Sequence, residues 1–143
     1  MNTKHALLAL CLSSLSLAAH ADIHVEDAYV RALPPGTPTT AAYMRLSNDS
    51  DAAVALVGAT SPVAGKVTMH STMNHNGMMH MMPNTKLEIP ANGSLVLESG
   101  GRHLMLEELA APLAAGTEIE LTLQFDDGSA TTLQVPVRSV LDE

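Results

Sequence analysis

Aromatic and sulfhydryl side chains are nearly missing from this chain, which has one Phe, two Tyr, no Trp and a single cysteine, Cys11, among its 143 residues. With no thiol beyond position 11, a disulfide framework has nothing to form from, and a blue-copper centre lacks its obligatory Cys ligand. Basic charge is scarce as well: seven Lys and Arg stand against fifteen Asp and Glu, a net charge of −8. So few cations cannot neutralise nucleic-acid phosphates or anionic lipid headgroups, and neither is an expected partner. No apolar run approaches the about 20 residues that span a bilayer. No Ser/His/Asp arrangement or zinc-helix signature is present, and the chain is not expected to be an enzyme.

What is present begins with an export signal. Lys4 gives a positive start, Ala6 to Leu17 is largely apolar, and Ala19-His20-Ala21 has the small-x-small pattern of a cleavage site. Residues 1–21 therefore read as a secretory signal cut after Ala21, and 22–143 as one exported domain without a membrane anchor. A lipoprotein reading of Cys11 is disfavoured, because Leu10 occupies the position where a small residue precedes a lipidated cysteine.

The remainder reads as short strands broken by turn residues. Ile119, Leu121, Leu123 and Phe125 alternate with polar neighbours, Asp126-Asp127-Gly128-Ser129 turns the chain, and Leu133, Val135 and Val137 alternate again. That is a hairpin with one buried face, and Pro136 predicts an edge position or bulge within it. Further strands are expected at 23–31, 41–47, 53–60, 66–71, 86–89, 94–97 and 103–107, separated by Pro34-Pro35-Gly36, Asn48-Asp49-Ser50, Asn92-Gly93 and Gly100-Gly101. The expected fold is all-β: a single Greek-key sandwich of about eight to nine strands.

Nine of the fourteen residues from Met69 to Met82 are Met or His, including six of the chain's nine methionines. Uniform core filling does not concentrate methionine in this way. Thioether sulfur is a soft donor and imidazole a borderline one, and together, without thiolate, they suit Cu(I). A second pair of donors follows in His103-Leu104-Met105, where the two-residue period of a strand puts His103 and Met105 on one face. The rest of such a site must come from the Met/His segment folding back against that strand.

The spacing between these donors is specific: His70, ten residues, Met81, twenty-one residues, His103, one residue, Met105. It resembles the pattern H(M)-x10-M-x21-H-x-M of the periplasmic PCuAC copper chaperones. The stretches Gly77-Met78-Met79-His80-Met81-Met82-Pro83 and Gly101-Arg102-His103-Leu104-Met105-Leu106, and the closing hairpin, are similar to segments of that family. The resemblance implies a cupredoxin-like β-sandwich in the periplasm. It further implies Cu(I) bound by His70, Met81, His103 and Met105 and delivered to the dinuclear copper centre of cytochrome c oxidase, or to a Cys-containing assembly factor. His80 stands where lysine is common in the family. The sequence ends Val140-Leu141-Asp142-Glu143 without the Met/His-rich tail associated with Cu(II) in some relatives, so a Cu(II) ion would have to use the loop or the N-terminus.

Several donors exceed the pattern. Met69, on the other strand face, is expected to pack. Met73, His75, Met78, Met79 and His80 are either ligands for a second ion or exposed loop residues prone to oxidation. If cleavage frees the amine of Asp22, that amine, the amides of Ile23 and His24 and the His24 imidazole form a four-nitrogen set for Cu(II). Copper buffering or resistance without directed transfer is the alternative function. Because His70 and His103 must be neutral to bind, Cu(I) affinity is expected to weaken as pH falls through about 6.

Overall fold

The computed structural model describes residues 21–142. The expected signal up to His20, with Cys11, lies outside the described residues. Ten strands run in chain order: β1 Ile23–Arg31, β2 Thr40–Asn48, β3 Val54–Thr60, β4 Ala64–His75, β5 Met78–Asn84, β6 Leu87–Ile89, β7 Ser94–Leu97, β8 Arg102–Leu109, β9 Glu118–Phe125 and β10 Ala130–Arg138. They are hydrogen-bonded in the order β5-β4-β8-β2-β1-β10-β9-β3-β6, and β7 also pairs with β2. The strands from β5 to β1 make one layer and those from β10 to β6 the other, joined by the short parallel pairing of Val30 with Val137 and Arg31 with Arg138.

Alternation builds the core between the layers. Ala42, Met44, Leu46, Met69, Leu104 and Leu106 from the first layer meet Leu56, Ile89, Leu121, Leu123, Phe125 and Val135 from the second in one buried cluster. This is the cupredoxin-like sandwich that the sequence resemblance implies. Leu104 and Leu106 are fully buried, and truncating either to Ala would cost about 2–5 kcal/mol. Pro136 sits one residue before the parallel pairing to β1 begins at Val137, so its missing N–H leaves no ladder bond to β1 unmade.

Two features differ from the expected outline. Strand β4 continues past Ser71 to His75, and β5 exists at all: the Met/His segment is a hairpin rather than a loop. Its register is unbroken from Met69 opposite Asn84 to His75 opposite Met78. Asn76 (φ 52°) and Gly77 (φ 79°) close it, the positive-φ pair of a type I′ turn. Strand β5 buries no side chain, so ladder hydrogen bonds and the turn hold it rather than hydrophobic burial. The second difference is a bulge in β1. Glu26 opposes Arg45 but Tyr29 opposes Tyr43, and the extra residue, with Asp27 at φ 51°, reverses the alternation of the strand. Tyr29 and Arg31 thereby turn outward, onto the face of the layer that carries His103.

Candidate metal centre

Register brings the four residues of the spacing onto one face. His70 lies directly opposite His103, and Thr68 opposite Met105, across an unshifted β4–β8 ladder. Thr72 lies opposite Met81 across β4–β5. Directly opposed side chains project from the same face of a sheet, and residues two apart on a strand share a face. His70, Met81, His103 and Met105 therefore all point outward, while Met69, Leu104 and Leu106 between them point into the core. Met81, His103 and Met105 line one open cleft of about 320 Å³, with Arg31 and Tyr43 also in its wall. The His70 and His103 rings stack with centroids 5.8 Å apart and planes 13° from parallel.

The hydrogen bonds fix which nitrogen of each ring carries a lone pair. His103 Nδ1 lies 3.2 Å from the carbonyl of Gly101, which can only accept, so Nδ1 holds the proton and Nε2 is free to ligate. At His70 the chain of donors runs through Thr68. Thr68 Oγ1 donates its one proton to Glu107 Oε2 at 2.9 Å, so at its 2.8 Å contact with His70 Nε2 it accepts. The His70 proton is therefore on Nε2, and Nδ1 carries the lone pair.

That His70 Nδ1 is buried with no hydrogen-bond partner. A buried nitrogen lone pair left unmatched costs about 1–3 kcal/mol, an arrangement that persists where something else fills it. A soft or borderline metal ion could do so, and a carboxylate behind the ring, here reached through Thr68, is the kind of outer support that metal-binding histidines use. Burial, most of all, lowers the pKa of His70 below its ordinary 6.5; His103 and Lys66 push the same way, and Glu107 opposes them. The ring is thereby kept neutral, the form that binds metal. Tyr43, buried on this outer face, sits 6.5 Å from the His103 ring beneath the Arg31 guanidinium.

The surplus donors divide. Met79, opposite Asn74, shares the outward face of Met81, whereas His75, Met78 and His80 project from the other face together with Met73 and Met82. His24 is elsewhere: it pairs with Ser47 near the far end of β2, and its Nε2 lies 2.9 Å from Asp49 and 3.6 Å from Asp22. These three exposed groups could converge on a cation, but they take no part in the cleft. Thr68, Glu107 and the Gly101 carbonyl are not among the residues expected from the sequence. Strand alternation alone could have pointed to two of them, since Thr68 is two residues from His70 and Glu107 two from Met105.

Residues 23–137 match the family described as "Putative lipoprotein LpqE-like". The protein named "Putative lipoprotein Lxx21020" from Leifsonia xyli subsp. xyli is 39% identical over 117 residues, 81% of this chain and 69% of its own length. The uncharacterized protein RP573 from Rickettsia prowazekii is 28% identical over 128 residues, 85% and 69% of the two chains. Among solved structures, CuI-DR1885 from Deinococcus radiodurans matches at 36% identity and TM-score 0.63, covering 87% of this chain and 85% of that one. The copper-bound PCuAC domain from PmoF2 has a TM-score of 0.70 over 84% and 98% of the two chains; at 22% identity it shows likeness of fold alone. This chain belongs to the LpqE-like family, of PCuAC type.

Proposed function

We propose that this protein is an exported copper chaperone that takes up Cu(I) through His70 Nδ1, Met81, His103 Nε2 and Met105. The observation that carries the reading is the buried, unpartnered Nδ1 of His70 beside a second imidazole with its lone pair free. CuI-DR1885, the structural relative 36% identical to this chain, supports the choice of metal. Thioether and imidazole donors without thiolate favour Cu(I), and such a set yields the ion to softer thiolates. Transfer is an exchange of ligands at constant oxidation state: thioethers and imidazoles leave, acceptor thiolates bind, and the thiol protons go to solvent. Met81, 51% exposed on the outermost strand, is the ligand an acceptor reaches first. We assign that acceptor to a Cys-containing copper protein of the same compartment, the periplasm, with the dinuclear copper centre of cytochrome c oxidase or its assembly factor as the leading candidate.

Anaerobic competition titration against a Cu(I) chelator, with wild type beside Met81→Leu and His103→Ala, tests the site. Incubation of the loaded protein with a reduced dithiol acceptor domain then tests delivery. Wild type is expected to bind one Cu(I) more tightly than either variant and to lose it to the dithiol. Equal affinity in all three would overturn the reading, and tight binding without transfer would favour a copper buffer, which the exposed Met-rich hairpin also suits.

A further inference from the structure

Strand alternation splits the donors of the β4–β5 hairpin between two faces, and one face is already engaged by the cleft. The other bears Met73 directly opposite His80, and His75 directly opposite Met78. Opposed side chains on such a ladder start about 5 Å apart, and successive same-face positions about 7 Å apart along it. Two His and two Met thus occupy the corners of one small rectangle, with Met82 two residues from His80 as a spare donor. The Asn76-Gly77 turn follows His75 and Met78 without a gap, so the rectangle is held by the same closure that holds the hairpin.

Nothing in packing accounts for this composition. Met73, Met78 and Met82 are 54%, 62% and 50% exposed, and neither His75 nor His80 has a hydrogen-bond or ion-pair partner among the described residues. Val, Ile and Thr make better exposed strands, and exposed thioethers are open to oxidation. What these five side chains share is affinity for soft metal. Because they diverge from the opposite face of the strand, they do not reach an ion lying between His70 and His103.

We propose that the tip of the β4–β5 hairpin holds a second Cu(I) site, built from Met73, His75, Met78 and His80 on the face opposite the first. Half of its donors are thioethers, which assigns it to Cu(I) rather than Cu(II). Its exposure makes it the more readily exchanging of the two, suited to receiving copper from small carriers. This assignment does not depend on the ligands of the cleft.

The test is titration of the mature protein, labelled with ¹³C at the methionine methyls, with Ag(I) as an air-stable substitute for Cu(I). Two separable responses are expected over two equivalents: one set at Met81 and Met105, the other at Met73 and Met78. In the His75→Ala/His80→Ala variant, whose changes lie on exposed positions, the second set should no longer move while the first is retained. The proposal is overturned if Met73 and Met78 stay unmoved at two equivalents, if all four methyls move together with the first, or if the double variant responds as wild type does. Should Met73 and Met78 respond while Met81 and Met105 do not, the chaperone site fails and the hairpin site stands.

Discussion

His70 and His103 are cross-strand partners that hold their protons on different nitrogens, Nε2 in one ring and Nδ1 in the other. The difference follows from what lies behind each ring. Gly101 ends the turn before β8 and presents its carbonyl to His103, whereas Thr68 and Glu107 form a relay behind His70. Two rings 5.8 Å apart in near-parallel planes can thus each offer a lone pair without competing for one proton.

Replacing Thr68 by Val removes the acceptor that fixes the His70 tautomer. Loss of an outer-shell partner of this kind typically lowers metal affinity about 10–100-fold. Thr68 is half-buried on the outer face and its replacement is nearly isosteric, so the fold should survive. Chelator competition for Cu(I), read beside the ¹⁵N shifts of the His70 ring, checks both halves of the argument. An unchanged affinity with an unchanged Nε2–H signal would remove the relay from the account.

That His103 and Met105 share a face was legible in the sequence because strands impose fixed spacing. An interval of one residue between His103 and Met105 means the same face of a strand wherever the strand lies. The hairpin was not legible from hydrophobic pattern, since Met78 to Met82 has donors at every position and no polar–apolar alternation to read. Its one local signal is Asn76-Gly77, a strong short-range marker of a two-residue hairpin. The bulge at Asp27 had no signal at all, and it decides that Tyr29 and Arg31 face the site. A pairing register belongs to two strands, and neither strand's sequence contains it.

Gly77 offers a direct test of that hairpin. A Cβ there would meet no atom within 4 Å, so the only obstacle to alanine is its φ of +79°. Gly77→Ala should cost about 1–2 kcal/mol of local turn stability. The expected result is faster amide exchange in Met78–Met82 and weaker Cu(I) binding through Met81, with little change in the global unfolding midpoint, because β5 contributes nothing to the core. A lowered midpoint with unaltered exchange in β5 would contradict the claim that the hairpin opens independently.

The lowered pKa of His70 makes the apoprotein acid-sensitive in a defined direction. Burial holds the ring neutral in the folded state, so below 6.5 the unfolded chain binds the proton that the folded chain refuses. The contribution of His70 to stability is complete above 6.5 and is lost as pH falls from there through the folded-state value. In urea titrations of apoprotein, His70→Gln should therefore flatten the decline in stability on that acidic side. Glu107→Gln removes the one charge that raises the pKa of His70 and should move its NMR titration further down. An upward move would show that the carboxylate does not act on the ring through charge.

The N-terminal donors meet an obstacle that the sequence did not display. For Cu(II) to be wrapped by the Asp22 amine, two amides and the His24 ring, Ile23 and His24 must leave their places opposite Asn48 and Ser47. The bond from Asp49 N to Asp22 O, 3.1 Å long, would be lost as well, and so would the 2.9 Å contact of His24 with Asp49. Each backbone bond surrendered costs about 0.5–1.5 kcal/mol net, and the backbone must abandon its extended form to encircle the ion. In a chain that begins at Asp22, acetylating the amine should therefore leave Cu(II) affinity unchanged. A fall in affinity on acetylation would mean that β1 frays at Asp22 more readily than its ladder with β2 implies, and would support His24 as a ligand.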